Sequence, residues 1–302
     1  MYIKMKKITV ITITFLLSLF NISLFAQMDS TAKADTTVQS LPEVTIDEPV
    51  RNTFSSSTIL DNQTVMSPLK GSKELMIQHR FGDMKTISDL FGIYGSSNIR
   101  VGMNYGITDN IMIGFGTESN HKMQEFILKI ALLKQKKSNA IPISVSYFAN
   151  TVIDGRDKSN WALNYKFSSR LSFLHSIIVA RKCNKRLSLQ GSASFAHFNQ
   201  VDSIKTNDIV ALTLNGKCKI VGPMSAIFEY DYTVAPVKTL KYYQEQSKPN
   251  ASIGFDINTG THNFQLFVAS YRSIIAQQNY MYNKNDFTKG KVFIGFNIIV
   301  RL

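Results

Sequence analysis

The clearest alternation of apolar and polar positions lies at the carboxyl end. Val292, Ile294, Phe296, Ile298, Val300 and Leu302 are apolar and spaced by two, with Phe293, Gly295, Asn297, Ile299 and Arg301 between them. Period two sets the first group on one face of a strand and the second on the other. About ten residues of such alternation is the length of one transmembrane β-strand. Ile294, Phe296 and Ile298 are therefore expected to face lipid, with Gly295 and Asn297 facing a lumen. Ile99, Val101, Met103, Tyr105 and Ile107 alternate in the same way against Asn98, Arg100, Gly102 and Asn104, and Ala251, Ile253, Phe255 and Ile257 against Ser252, Gly254, Asp256 and Asn258.

Twelve strands are predicted, near residues 74–81, 98–107, 111–118, 123–133, 141–152, 169–181, 186–198, 207–218, 224–233, 250–258, 263–272 and 291–302. Segment 169–181 is ambiguous because both of its faces are partly apolar. The links after strands two, four, six, eight and ten are short, and every long link (82–97, 153–168, 234–249 and 273–290) falls on the other side. Short periplasmic turns and longer external loops are the rule for outer-membrane barrels. An even strand number returns both ends to the periplasm. The fold expected is an all-β, antiparallel up-and-down transmembrane barrel of about twelve strands with a flexible N-terminal segment. An exported β-sandwich is the competing reading, but it calls for seven to nine strands with turns at both ends.

The amino terminus reads as an export signal over residues 1–26. Lys4, Lys6 and Lys7 precede an apolar stretch from Ile8 to Phe25, and Ala26-Gln27 is the expected cleavage point. A membrane anchor helix is the alternative. Residues 27–70, rich in Asp, Ser and Thr at their start, are read as a periplasmic linker or partial plug, and residues 71–302 as the barrel. Apolar residues make up 44% of the chain, which a barrel tolerates because only alternate strand residues meet lipid. The net charge is +13, and loss of the three signal lysines leaves +10. For an exported chain this points to outer-membrane lipids and lipopolysaccharide rather than nucleic acid. Cys183 and Cys218 are assigned to the ends of strands six and eight. With strand seven between them they are too far apart to bridge, so two free thiols are expected.

Several spaced motifs carry a family likeness. They are His79-Arg80-Phe81-Gly82, Ser97-Asn98-Ile99-Arg100-Val101-Gly102, Tyr105-Gly106-Ile107-Thr108-Asp109, Gly254-Phe255-Asp256-Ile257-Asn258-Thr259-Gly260 with His262 and Phe264-Gln265-Leu266, and Gly295-Phe296-Asn297-Ile298. Over roughly residues 50–302 the chain resembles the bacterial β-barrel family catalogued as domain of unknown function 5777. Thr261 stands where members often carry a second glycine, and Leu302 where an aromatic residue often closes the chain. The resemblance implies an outer-membrane barrel and supplies no mechanism.

Candidate chemistry is sparse. Arg100, Asn104, Asp256, Asn258 and Asn297 are expected to point into the lumen, and His79 and Arg80 to form a pair at the outer rim. Gly260 is expected to supply the positive φ of a tight hairpin. Lys134, Lys136, Lys137, Arg181, Lys182, Lys185, Arg186, Lys217 and Lys219 make a basic ring at three periplasmic turns. The ring suits lipid headgroups, or an acidic periplasmic partner as the sharper reading. No Gly-x-Ser-x-Gly, His-Glu-x-x-His, Walker or Rossmann pattern occurs, and no metal or cofactor is implied. Ser194 and His197 lie three apart and so fall on opposite strand faces. The function expected is a narrow passive or substrate-specific pore. A lipid-acting barrel enzyme and a scaffold for an acidic partner are the alternatives.

Overall fold

A computed structural model describes residues 47–82, 96–161, 165–202, 205–234 and 247–302. The chain divides into two units, Met1–Ile46 and Asp47–Leu302. The first unit, which holds the expected export signal and the start of the linker, lies outside the described residues, as do parts of the loops at 83–95 and 235–246.

A two-residue pair of strands comes first, β1 (Thr58–Ile59) and β2 (Asn62–Gln63). The barrel begins with β3 (Lys73–Arg80), β4 (Asn98–Gly106), β5 (Ile111–Glu118) and β6 (Met123–Leu133). It continues with β7 (Ser144–Ile153), β8 (Leu171–Lys182), β9 (Leu187–Phe198) and β10 (Asp208–Val221). It ends with β11 (Met224–Val234), β12 (Asn250–Asn258), β13 (His262–Ala269) and β14 (Phe293–Arg301). Each barrel strand pairs antiparallel with its neighbour in sequence, and β14 closes on β3 with Gly295 opposite Arg80 and Arg301 opposite Glu74. A short helix, α1 (Ala276–Tyr282), lies between β13 and β14.

The alternation builds two surfaces. On β4, Ile99, Val101, Met103 and Tyr105 are exposed while Asn98, Arg100 and Asn104 are buried. On β12, Ile253, Phe255 and Ile257 face out while Ser252 and Asp256 face in. On β14, Ile294, Phe296 and Ile298 are half-exposed, and Gly295 and Asn297 are buried. An apolar exterior over a polar interior is the arrangement a strand barrel needs in lipid, and closure leaves no unpaired edge there. On β8 both faces are apolar for a structural reason. Leu174 and Ile178 join an apolar cluster inside the barrel while Ile177 meets the exterior.

The tight links at 107–110, 183–186, 222–223 and 259–261 fall on one side, and the longest, 81–97, 154–170, 235–249 and 270–292, fall on the other. Gly260 has φ 95° in the β12–β13 turn, a conformation that suits glycine. Cys183 and Cys218 are both free and exposed at the short-turn end. The loop expected at the surface over 273–290 departs from that reading. Its Ile274, Ile275, Gln277, Asn279, Tyr280 and Met281 are buried, because α1 turns inward over the lumen.

Candidate functional site: a plugged lumen

Residues 53–66 occupy the lumen. Thr53 to Asn62 and Thr64 are all buried. The β1–β2 hairpin turns through Leu60 and Asp61 at its tip, with Ile59 opposite Asn62. Leu60 has φ 56°, a left-handed conformation that costs a branched residue about 1–3 kcal/mol. The wall holds the tip in place. Leu60 N donates to Gln265 Oε1 at 3.1 Å, and Asn297 Nδ2 donates to the Leu60 carbonyl at 2.8 Å. Phe54, Ile59, Leu60 and Val65 pack into the same apolar cluster as Phe148, Leu174 and Phe198.

The charged groups of the lumen converge on this segment. Arg80 forms an ion pair with Asp61, both side chains almost wholly buried. Its guanidinium also donates to Asn297 Oδ1 at 3.0 Å and stacks over the Phe267 ring. Glu229 Oε2 accepts from the backbone N–H groups of Asp61 (3.2 Å) and Asn62 (3.0 Å), and its other oxygen accepts from Tyr271. Asp231 accepts from Asn62 Nδ2 at 2.7 Å. Lys129 donates to the carbonyls of Ser57 (3.0 Å) and Met66 (2.9 Å). Arg100 lies over Gly116, where a Cβ would fall inside its guanidinium, and so crosses one strand to reach Glu125 at 2.5 Å.

From the long-loop side the segment Ser270–Asn283 closes the lumen. Glu118 accepts from the N–H groups of Ile274 and Ile275, both at 3.2 Å. Asn279 Nδ2 reaches Asp61 at 3.3 Å and Tyr280 Oη reaches Asn62 at 3.0 Å. Plug and lid therefore touch each other as well as the wall. A cavity of about 30 Å³ remains, lined among others by Asn62, Gln63, Asn150, Ser176, Ser194 and Tyr280, which is space for about two waters.

The plug enters at the short-turn end. Pro49 bridges Lys136, and Val50 N donates to the Gln135 carbonyl at 2.7 Å. Four members of the basic ring hold this entering strand. Lys136 donates to the Asp47 carbonyl (2.7 Å), Lys137 to Glu48 (2.7 Å) and Lys182 to the Arg51 carbonyl (3.0 Å), and Lys217 bonds Ser55 and sits 3.3 Å from Asp256. The Ser138 side chain and N–H hold Asp47 below the usual carboxylate range, and Lys137 does the same for Glu48. Lys134 donates to the Asp109 carbonyl in the neighbouring turn at 2.6 Å. Arg181 is half-buried, and Lys185, Arg186 and Lys219 are exposed.

The residues predicted for the site therefore separate. Arg100, Asn104, Asp256 and Asn297 are buried in the lumen. Asn258 is half-buried at the short-turn end, beside Arg301 and Gly260. The expected rim pair is corrected. His79 faces outward and stacks on Phe296 at 5.2 Å, whereas Arg80 is fully buried in the lumen. Adjacent strand residues point to opposite faces, so one side cannot hold both. Glu118, Glu125, Lys129, Glu229 and Asp231 were not anticipated. Their signal was present as charges on the inward positions of strands whose alternate residues are apolar.

His197 bonds Asp208, His175 bonds Tyr147 and His262 bonds Thr261. Among the described residues no serine hydroxyl is bonded to a histidine ring, and no cluster of His, Cys, Asp and Glu is arranged to hold a metal.

The lipid-facing belt and the closed wall make this a barrel of a bacterial outer membrane. Among solved structures, the NanC porin is 7% identical over 76% of this chain and 98% of its own, with a TM-score of 0.46. The KdgM porin is 8% identical over 76% and 97%, with a TM-score of 0.44. Outer membrane phospholipase A from Escherichia coli is 11% identical over 80% and 93%, with a TM-score of 0.43. These are likenesses of barrel architecture and assign no activity. No match is found among curated proteins. The match that decides the family spans residues 54–302, plug and wall together, and the chain belongs to the family described as membrane bound beta barrel domain (DUF5777).

Proposed function

We propose that the protein is a narrow, gated pore whose lumen is closed by its own residues 53–66 and by the segment 270–283. The observation that carries this reading is the nature of the filling. The lumen is stopped by a segment that enters from the short-turn end and is held by hydrogen bonds, not by wall side chains meeting across the axis. The wall groups that hold it include Gln190, Gln265 and Asn297, neutral amides that water satisfies nearly as well. The plug tip carries a strained Leu60, which lowers the cost of leaving. Contacts from Asp61 and Asn62 to Asn279 and Tyr280 tie the lid to the plug, so release of one loosens the other.

The reading of the basic ring as a dock for an acidic partner takes a modified form. Asp47 and Glu48 of the chain itself lie against Lys136 and Lys137, so the first acidic partner is internal. The exposed Lys185, Arg186 and Lys219 suit lipid headgroups.

The test uses the full chain in planar bilayers. Wild type is expected to be silent or to open rarely. The double variant Asp61→Asn/Asn62→Ala leaves the Arg80 guanidinium buried without its anion and is expected to conduct. Limited proteolysis within residues 53–66 reports whether the plug has left. A variant whose plug is cleaved while its folded barrel stays silent would end the pore reading.

A further inference from the structure

With the plug withdrawn, the character of the wall decides what passes. The wall buries six carboxylates, Glu74, Glu118, Glu125, Glu229, Asp231 and Asp256. Against them stand the buried cations Arg80, Arg100 and Lys129, with Lys217 partly buried. Arg100 is paired with Glu125, Lys217 with Asp256 and the half-buried Arg301 with Glu74, so among the described residues Glu118, Glu229 and Asp231 are left without a cation of the wall against them. The excess is concentrated on β11, where Glu229 and Asp231 stand two residues apart on the same inward face.

Neutral donors meet these two carboxylates. Glu229 takes the N–H groups of Asp61 and Asn62, the Asn215 amide and the Tyr271 hydroxyl. Asp231 takes the amides of Asn62 and Asn250. The plug tip thus supplies three of these donors, a substitute for positive charge that departs with the plug. A second observation points the same way. Asn250 donates its Nδ2 to Asp231 Oδ2 at 3.2 Å, and its own Oδ1 is buried with no hydrogen-bond partner. A spare acceptor oxygen beside two carboxylates is an environment for a cation.

From this we infer that the opened lumen selects cations over anions, with Glu229 and Asp231 as the selecting pair. The inference rests on the pore reading and names its cargo class. It runs against the net charge of the chain, which is +13 and would favour anions if the surface decided. Carboxylates in a confined, low-dielectric passage raise the local cation concentration, as rings of acidic side chains do in other channels.

The experiment measures the reversal potential of the Asp61→Asn/Asn62→Ala full chain across a KCl gradient. K⁺ is expected to be favoured over Cl⁻ by about fivefold, the scale of one unit charge acting at about 4 Å in water. Adding Glu229→Gln and Asp231→Asn should bring the ratio close to one. The single changes, each expected to lower it, serve where the combined variant fails to fold. Chloride preference, an unselective opening, or a ratio untouched by Glu229→Gln and Asp231→Asn overturns the inference while leaving the pore intact. Silence in every folded variant removes the pore itself, and the inference with it.

Discussion

The two sides of the barrel wall treat the plug differently. The side running from β11 through β14 and on to β6 grips it with Glu229, Asp231, Gln265, Asn297, Arg80 and Lys129. The side formed by β7, β8 and β9 presents Ser176, Ser192, Ser194, Leu174, Ile178 and Ala196, none of them charged. From these three strands Gln190 bonds residues 63 and 65 of the plug, and Lys182 at the end of β8 bonds its entering strand at Arg51. A cavity lies between the plug and this second side at Phe148, Leu174, Ser176, Ile178, Ser192 and Ser194, and extends to Gln78, Arg100 and Glu125 of the gripping side. The difference teaches where a path would open. One wall fixes the plug by directional bonds, and the other lets it rest on small hydroxyls and apolar surface. Release of the plug would begin along β7–β9, and the gripping wall would let go last.

The comparison breaks most sharply at Arg80. Its partner Asp61 is buried with it, and removing one member of a buried pair costs about 3–5 kcal/mol because the other charge is left uncompensated. Arg80→Leu is expected to unseat the plug tip. Hydrogen exchange should show the amides of Asp61 and Asn62 losing protection while those of β7–β9 keep theirs. Equal loss in both places would mean that the two walls do not act separately.

How much of this the chain disclosed follows the same division. Strands β4, β12 and β14 were legible because lipid on one face forces strict alternation, as at Ile253, Phe255 and Ile257. The β8 segment was ambiguous because its inner face belongs to the ungripped wall and is itself apolar at Leu174 and Ile178. Arg80 was misplaced at the rim because its neighbour His79 suggested a pair, although period two separates them. The helix α1 was missed because its buried face consists of Gln277, Asn279, Tyr280 and Met281, residues that read as a polar loop until a polar lumen is there to receive them. The plug left a fainter trace. Residues 53–66 carry no long alternation, since apart from the short β1–β2 pair their hydrogen bonds go to wall side chains.

A smaller change sharpens the gripping side from within. Gly116 is the floor on which the Arg100 guanidinium lies. Gly116→Ala inserts a methyl group into that space, and overpacking of this kind costs about 1–3 kcal/mol. Arg100 must then lift from Glu125. The expected result is a lower urea midpoint for release of the plug, with the barrel's own unfolding transition little changed. A variant indistinguishable from wild type in both transitions would show that the Arg100–Glu125 pair is not part of the grip.

The smallest effect is expected on the opposite wall, and it tests the comparison from the side that should not matter. Ser194 Oγ donates to Ser176 Oγ at 2.9 Å, both buried. Replacing one partner leaves the other hydroxyl unsatisfied and costs about 1–3 kcal/mol, whereas replacing both by apolar groups is nearly neutral. The double variant Ser176→Ala/Ser194→Ala should therefore hold its plug as wild type does, to within about 0.5 kcal/mol, while either single variant is weaker. Conductance should move in the other direction. The cavity beside these residues becomes less polar, so in the Asp61→Asn/Asn62→Ala background the double serine change should reduce single-channel current. If the current is unaffected while the plug is destabilised, the path does not run along β7–β9, and the serine wall is a second grip rather than a gap.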